Sequence, residues 1–310
     1  MHMADALMSP AVAVTAGAAA AALIVVSANK IKGSSREGLT SMMGIMGAFV
    51  FAAQMINFTI PGTGSSGHII GGIMLAALLG PWAAFLTLSS VLIVQCLVFA
   101  DGGLMALGCN IINMAAMSCL VAYPLIFRPI MRRGISSRRL MWSSVLSSVA
   151  GLLLGAFLVS VETVLSGVTA LPCVTFLSVM IPIHLVIGAC EGVATGLVLM
   201  FVFRSSPSLL YGETGEASSS ESSRRKVLIA FAATAIVLAV GFTWLASSDP
   251  DGLEWSIERI TGSTELAPAA APVTAVIPDY ESYFAGIVGA IIVMVMLWAL
   301  SALIFRHRRC

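Results

Sequence analysis

Charged residues are scarce in this chain. They make up 10% of its 310 residues, against 58% hydrophobic residues and a mean hydropathy of +0.99. A soluble domain carries about 25% charged residues, so a water-soluble globular fold is excluded for most of the chain. The six cysteines, Cys96, Cys109, Cys119, Cys173, Cys190 and Cys310, form no CxxC pair and lie mostly in apolar runs. There they act as small hydrophobes, and a disulfide framework or thiolate zinc site is not expected. The opening MHMADALMSP has neither the basic n-region nor the clear cleavage site of a signal peptide, so the first span and the residues ahead of it should be retained. G-x-x-x-x-G-K-[ST] and H-E-x-x-H are both absent, which removes a phosphate cradle and a zinc-protease site from consideration. No enzymatic activity, catalytic residue or nucleic-acid partner is expected.

What is abundant is apolar sequence. A bilayer core of about 30 Å takes roughly 20 apolar residues at 1.5 Å each. The runs are 11–28, 39–60, 68–80, 82–100, 104–127, 140–166, 174–203, 227–246 and 283–305. The stretch from His68 to Ala100 is divided at Leu79-Gly80-Pro81-Trp82, because proline lacks a donor and disfavours helix in the residue before it. This predicts an all-α polytopic protein, a seven-helix bundle followed by two C-terminal transmembrane helices. Lys30, Lys32 and Arg36 follow the first run, and Arg128, Arg132, Arg133, Arg138 and Arg139 separate the fifth and sixth. Arg204, Arg224, Arg225 and Lys226 flank the connection after the seventh, and Arg306, Arg308 and Arg309 close the chain. With the N-terminus outside, every Lys and Arg except Arg259 falls on the cytoplasmic side, as the positive-inside tendency requires.

Residues 205–223, SSPSLLYGETGEASSSESS, have the composition of a flexible cytoplasmic linker. The expected division is a bundle over 1–204, a linker over 205–226 and a two-span accessory domain over 227–310, lying in membrane lipid. The accessory spans flank an outside loop, 247–282, containing DPDGLEWS and ELAPAAAPVTAVIP. Small residues recur four apart at Ala13/Gly17/Ala21, Gly72/Ala76/Gly80, Gly151/Gly155 and Gly188/Gly192/Gly196. Such faces let helices approach closely in lipid. They serve packing within the chain or docking of another membrane subunit, and the first span suits docking best.

Histidine directly behind the initiator methionine is the unusual feature. Histidine is large, so Met1 should not be trimmed. The α-amine of Met1, the backbone nitrogen of His2 and the His2 ring then close a five- and a six-membered chelate ring around one ion. These three nitrogens occupy three corners of a square. The predicted topology leaves one other imidazole on that face, His68 in GTGSSGHIIGG, behind a glycine- and serine-rich run typical of a tight loop. His184 lies deep in the seventh run and His307 in the basic tail. Either histidine alone also fits an incidental polar residue at a helix start; together on one face they favour a metal site. Planar nitrogen coordination points to Ni(II) or Cu(II), and binding through a deprotonated amide needs a metal able to displace that proton.

MHMADALMSP, GTGSSGHIIGG, DGGLMALGCNIINM (101–114) and HLVIGACEG (184–192) resemble the CbiM/NikM proteins over residues 1 to about 204. These are the substrate-binding membrane components of cobalt and nickel energy-coupling-factor transporters, and cobalt uptake links the family to cobalamin biosynthesis. The resemblance implies that Met1, His2 and His68 are the metal ligands and that Ni(2+) or Co(2+) is the transported substrate. It implies partners as well: a membrane coupling subunit and two ATPase subunits in the plasma (inner) membrane of a prokaryote. DPDGLEW (249–255) and IPDY (277–280) resemble the PDGLE-type, NikN-like domain of some members.

Ligating histidines usually give their second nitrogen to a partner. Asn57 and Ser66 are the candidates for that supporting role; Gln54, Asn110 and Asn113 are other polar residues in the region, and hydrogen bonding between helices is the competing use. Glu191, with His184 seven residues away on the same helical face, is a costly intramembrane ionisable group. The pair could form a proton or ion relay, which keeps open a proton-coupled secondary carrier. Glu191 could equally contact a partner subunit or pair within the bundle. Glu162 and Asp101 lie near the outside surface, where carboxylates could attract cations. Met42, Met43 and Met46 fit helix packing better than soft-metal ligation. A non-transporting membrane scaffold with incidental histidines is a third reading.

Overall fold

Ser9 and Pro10 open the first helix. The Ser9 hydroxyl accepts the Val12 N–H at 3.5 Å, and Pro10 stands at the first helical position, where its missing donor costs nothing. The computed structural model describes residues 1–33, 38–212, 221–241, 246–264, 275–277 and 283–305. Its helices are α1 (Pro10–Lys32), α2 (Leu39–Gln54), α3 (Gly72–Leu79), α4 (Pro81–Phe99), α5 (Leu107–Met131), α6 (Ser137–Ser166), α7 (Cys173–Ser205), α8 (Glu221–Gly241), α9 (Gly252–Thr261) and α10 (Tyr283–Phe305). Among the described residues, α1, α4, α5, α6, α7 and α10 are long and apolar enough to cross a membrane. Arg36, the linker residues 213–220, most of ELAPAAAPVTAVIP, residues 278–280 of IPDY and His307 lie outside the described residues.

Two of the apolar runs fold differently from a simple span. The run 39–60 is helical only to Gln54. It then enters a short antiparallel hairpin of β1 (Phe58–Ile60) and β2 (Ser65–Gly67), in register Phe58↔Gly67 and Ile60↔Ser65. The run 68–80 is helical only from Gly72: residues 68–71 are not helical, with Gly71 left-handed at φ 78°, and α3 supplies only eight residues, all buried. Eight helical residues reach about 12 Å, and the non-helical residues ahead of them lengthen that reach. Together they carry the chain from the Met1 end of the bundle to the end where Tyr211 donates its amide to the Ala77 carbonyl at 2.7 Å. Helix period cannot register a non-helical stretch inside a run that is apolar throughout, which is why the sequence presented one helix here. The break at Gly80-Pro81 lies where α3 ends and α4 begins.

Small residues mark the close approaches. Gly188, Gly192 and Gly196 of α7 face Val149, Val145 and Met141 of α6, so that stripe serves packing within the chain. Met42, Met43 and Met46 are fully buried in α2 as part of the core. The C-terminal helices α8 and α10 lie against α2, with Phe231 edge-on to Phe49 at 5.1 Å and Gly47 set between Leu297 and Val293.

Candidate metal centre

The first eight residues are tucked into the bundle. Met1, Met3, Leu7 and Met8 are all buried. Asn110 of α5 grips Met3 twice: its Oδ1 accepts the Met3 amide at 2.8 Å and its Nδ2 donates to the Met3 carbonyl at 3.2 Å. The same carbonyl accepts from Gly103 at 2.9 Å, and Asp5 Oδ1 accepts from Ala106 at 3.1 Å. A terminus that would otherwise fray is therefore held at both ends of Met3, which fixes the atoms of Met1 and His2.

His68 approaches from the connection between β2 and α3. Non-helical backbone inside a membrane protein needs its N–H groups satisfied by protein, and Glu191 of α7 does this. Its two carboxylate oxygens accept from Ile70 at 2.9 Å and Gly71 at 3.1 Å. The residue read as a possible proton relay thus holds the backbone immediately after His68. His68 Nε2 lies 3.3 Å from the Met1 nitrogen, and the His2 and His68 rings stack almost parallel, 8° apart with centroids at 5.2 Å. Met1, His2 and His68 are brought together.

Two carboxylates close the cluster. Asp101, after α4, faces His2 Nδ1 at 3.0 Å. Burial by itself would raise its carboxyl, but the facing His2 ring, His68 and the Met1 amine together outweigh this and hold it below the usual carboxylate value. Asp251 caps α9 by accepting the Leu253 and Glu254 amides, and Glu254 returns a bond to the Asp251 amide. Its other oxygen, Oδ2, forms an ion pair with the α-amine of Met1. Here too burial works upward, and the Met1 amine, the Glu254 amide and His68 together outweigh it, keeping the Asp251 carboxyl well below the carboxylate range. α9 is seated on the hairpin: Ser66 donates its amide to the Pro250 carbonyl at 2.8 Å, and Trp255 Nε1 donates to the Thr63 carbonyl at 3.0 Å.

Of the two residues expected to support the imidazoles, Ser66 donates its hydroxyl to the Asp249 carbonyl at 2.8 Å. Asn57 accepts the Ser247 amide at 2.8 Å through its backbone carbonyl, while its buried side-chain Oδ1 has no hydrogen-bond partner among the described residues. Both tie the hairpin to the segment leading into α9. Asn113 donates to Glu162 at 2.7 Å, and Gln54 takes part in a bond to Gln95 at 2.8 Å. Asn110 and Asp101 were visible in DGGLMALGCN, but nothing in their spacing aims them at Met3 and His2. Asp251 carried no local signal, because its partner is Met1. Among the described residues no three His, Cys, Asp or Glu side chains form a ready cage, so a site here depends on the nitrogens of the terminus.

Residues 2–209 match CbiM, described as the cobalt uptake substrate-specific transmembrane region. The chain belongs to the CbiM family. Residues 225–306 match the PDGLE domain. A putative fused nickel transport protein NikMN from Archaeoglobus fulgidus is 30% identical over 97% of this chain and 98% of its own length. The fused nickel transport protein NikMN of Rhodobacter capsulatus is 30% identical over 96% of this chain and 86% of its own. A crystal structure of a truncated transition metal transporter superposes with a TM-score of 0.58 at 32% identity, over 66% of this chain and 99% of that one. This CbiM-family chain is accordingly a multi-pass membrane component of cobalt and nickel transport, fused to a PDGLE domain.

Proposed function

We propose that this protein is the substrate-capturing component of an ATP-driven nickel or cobalt uptake transporter, binding the ion through the Met1 amine, His2 and His68. In this reading the N-terminus lies outside the inner membrane of a prokaryote. Residues 1–204 form the metal-binding bundle of seven spans, 205–226 the cytoplasmic linker, and 227–310 the accessory domain of two more. A membrane coupling subunit and two ATPase subunits supply the energy, and the exposed face of α1, with Val14 and Val25, is the docking face for the coupling subunit.

One observation carries the reading: a buried terminal nitrogen lies 3.3 Å from His68 Nε2, with the His2 ring stacked on His68. The His2 ring presents Nδ1 to Asp101, and its buried Nε2 is without a partner among the described residues. A half-turn about Cβ–Cγ exchanges Nδ1 with Cδ2, which releases Nδ1 from Asp101 and frees it for the six-membered chelate ring with the His2 backbone nitrogen. The secondary-carrier reading has no comparable support, since both oxygens of Glu191 are taken by backbone amides.

The test is calorimetric titration of the purified chain with Ni(II) and Co(II), beside a variant extended by one residue ahead of Met1. One-to-one binding that the extension abolishes supports the terminal chelate. Binding that survives the extension removes it.

A further inference from the structure

His184 is a buried histidine outside the Met1, His2 and His68 cluster. It lies in α7, 1% exposed, with Nδ1 2.8 Å from the Met180 carbonyl oxygen one turn earlier. A carbonyl only accepts, so Nδ1 carries the proton and Nε2 keeps its lone pair. Among the described residues that Nε2 has no hydrogen-bond partner. An imidazole whose N–H is fixed on a backbone carbonyl while the other nitrogen stays bare is the form that metal-ligating histidines take.

The bare nitrogen borders a small cavity of about 10 Å³, whose lining includes Met1, His68, Gly67, Ile70 and Gly252. Apart from Met1 and His68, these walls offer no ionisable side chain. The α9 backbone closes the cavity over the ring. A Cβ built on Gly252 would stand 2.9 Å from Ile187 Cδ1, 3.1 Å from His184 Cε1 and 3.3 Å from Nε2, so a larger residue there would have to push Ile187 and the His184 ring aside. The cavity is about one water-probe sphere in size, and a single divalent ion needs no more.

We infer that His184 is a further ligand of the transported ion, its Nε2 reaching the ion from the bundle side as a nitrogen outside the plane of the Met1, His2 and His68 donors. This inference rests on the metal-site reading above. It also assigns a specificity role. Ni(II) in a strong planar nitrogen field is satisfied by four donors, whereas Co(II) retains an electron along the axis and takes up an axial donor. Removing His184 should therefore weaken Co(II) more than Ni(II).

The experiment is anaerobic titration of Co(II) and Ni(II) into the full chain and into His184→Gln and His184→Ala, following the visible d–d bands. The expected result is a Co(II) affinity at least tenfold lower with an altered Co(II) band, while Ni(II) affinity moves less than threefold. Retained Ni(II) binding shows that the variants are folded. Unchanged Co(II) affinity and band in both variants would overturn the inference and leave the cavity to a water molecule. Should both variants lose every metal, the Co(II)-loaded wild type decides by paramagnetic proton NMR. Three exchangeable, strongly shifted imidazole N–H signals support His184 as a ligand, and two exclude it. A chain extended ahead of Met1 is run alongside. If the extension leaves binding intact, the terminal chelate itself fails; if it abolishes binding while His184 proves silent, only the present inference does.

Discussion

The carboxylate of Asp251 forms an ion pair with the α-amine of Met1 across 250 residues of sequence. The same side chain caps α9 through Leu253 and Glu254, so the PDGLE domain and the terminus share one residue. Asparagine caps a helix about as well as aspartate, which lets the two roles be separated. Asp251→Asn should keep α9 folded while loosening the amine. The expected result is a severalfold faster acylation of Met1 by an amine-reactive ester, read by mass spectrometry, with unchanged helix content. Asp251→Ala should in addition lose about 1 kcal/mol of cap stability. An unchanged acylation rate in both variants would show that the amine does not depend on Asp251.

Glu191 serves the backbone of Ile70 and Gly71, directly after His68. Leaving a buried donor without an acceptor costs about 1–3 kcal/mol. Glu191→Ala strands two such donors, while Glu191→Gln keeps one acceptor oxygen. The expected order of thermal stability in detergent is wild type, then Gln, then Ala, with nickel affinity falling in the same order because His68 is no longer held. A carrier that moved protons through Glu191 would instead lose flux in Glu191→Gln with its binding intact, and a transport assay beside the titration tells the two apart.

Much of this arrangement was legible in the sequence, and what was not has definable causes. The break at Gly80-Pro81 was readable because proline acts on its neighbours, and the chelating potential of Met1-His2 because its atoms are adjacent in the chain. The non-helical stretch 68–71 was not, since an apolar run buried on all sides has no period to betray it. The hairpin strands are only three residues each, too short to show alternation. Ser66 and Asn57 stand near His68 along the chain, yet the Ser66 hydroxyl and the Asn57 backbone carbonyl both bond to the segment entering α9. Asp251 and Asp101 reach the terminus only through tertiary folding, and no local signal announces a partner 250 or 99 residues away.

Asp101 faces His2, and loss of a carboxylate that orients a ligating imidazole typically costs about 10–100-fold in metal affinity. Asp101→Asn is expected to fall in that range for Ni(II), measured by titration. Because the carboxyls of Asp101 and Asp251 are both held below the usual carboxylate value of about 3.9, each is ionised throughout pH 5–7. Their contribution is present above that value and is lost only as the pH falls below it. Any weakening of nickel binding between pH 7 and 5 therefore belongs to proton competition at the nitrogen donors. Titrations at pH 7 and at pH 5 should accordingly both find Asp101→Asn weaker than the wild type, and equal affinities at both values would show that Asp101 does not support the site.

Gly17 and Gly108 touch each other yet should respond oppositely to substitution. A Cβ on Gly108 of α5 would collide with the backbone of Gly17 in α1, whereas a Cβ on Gly17 meets nothing within 4 Å. α1 follows directly from the tucked terminus, so a shift of its axis is transmitted to Met1 and His2. Gly108→Ala should therefore destabilise the bundle by about 1–3 kcal/mol through overpacking and lower nickel affinity as well. Gly17→Ala should be neutral or stabilising by about 0.5–1 kcal/mol, because alanine is the better helix former, with affinity unchanged. Thermal unfolding and titration on the two variants check both halves. Equal effects at the two positions would mean that α1 and α5 do not meet at this contact.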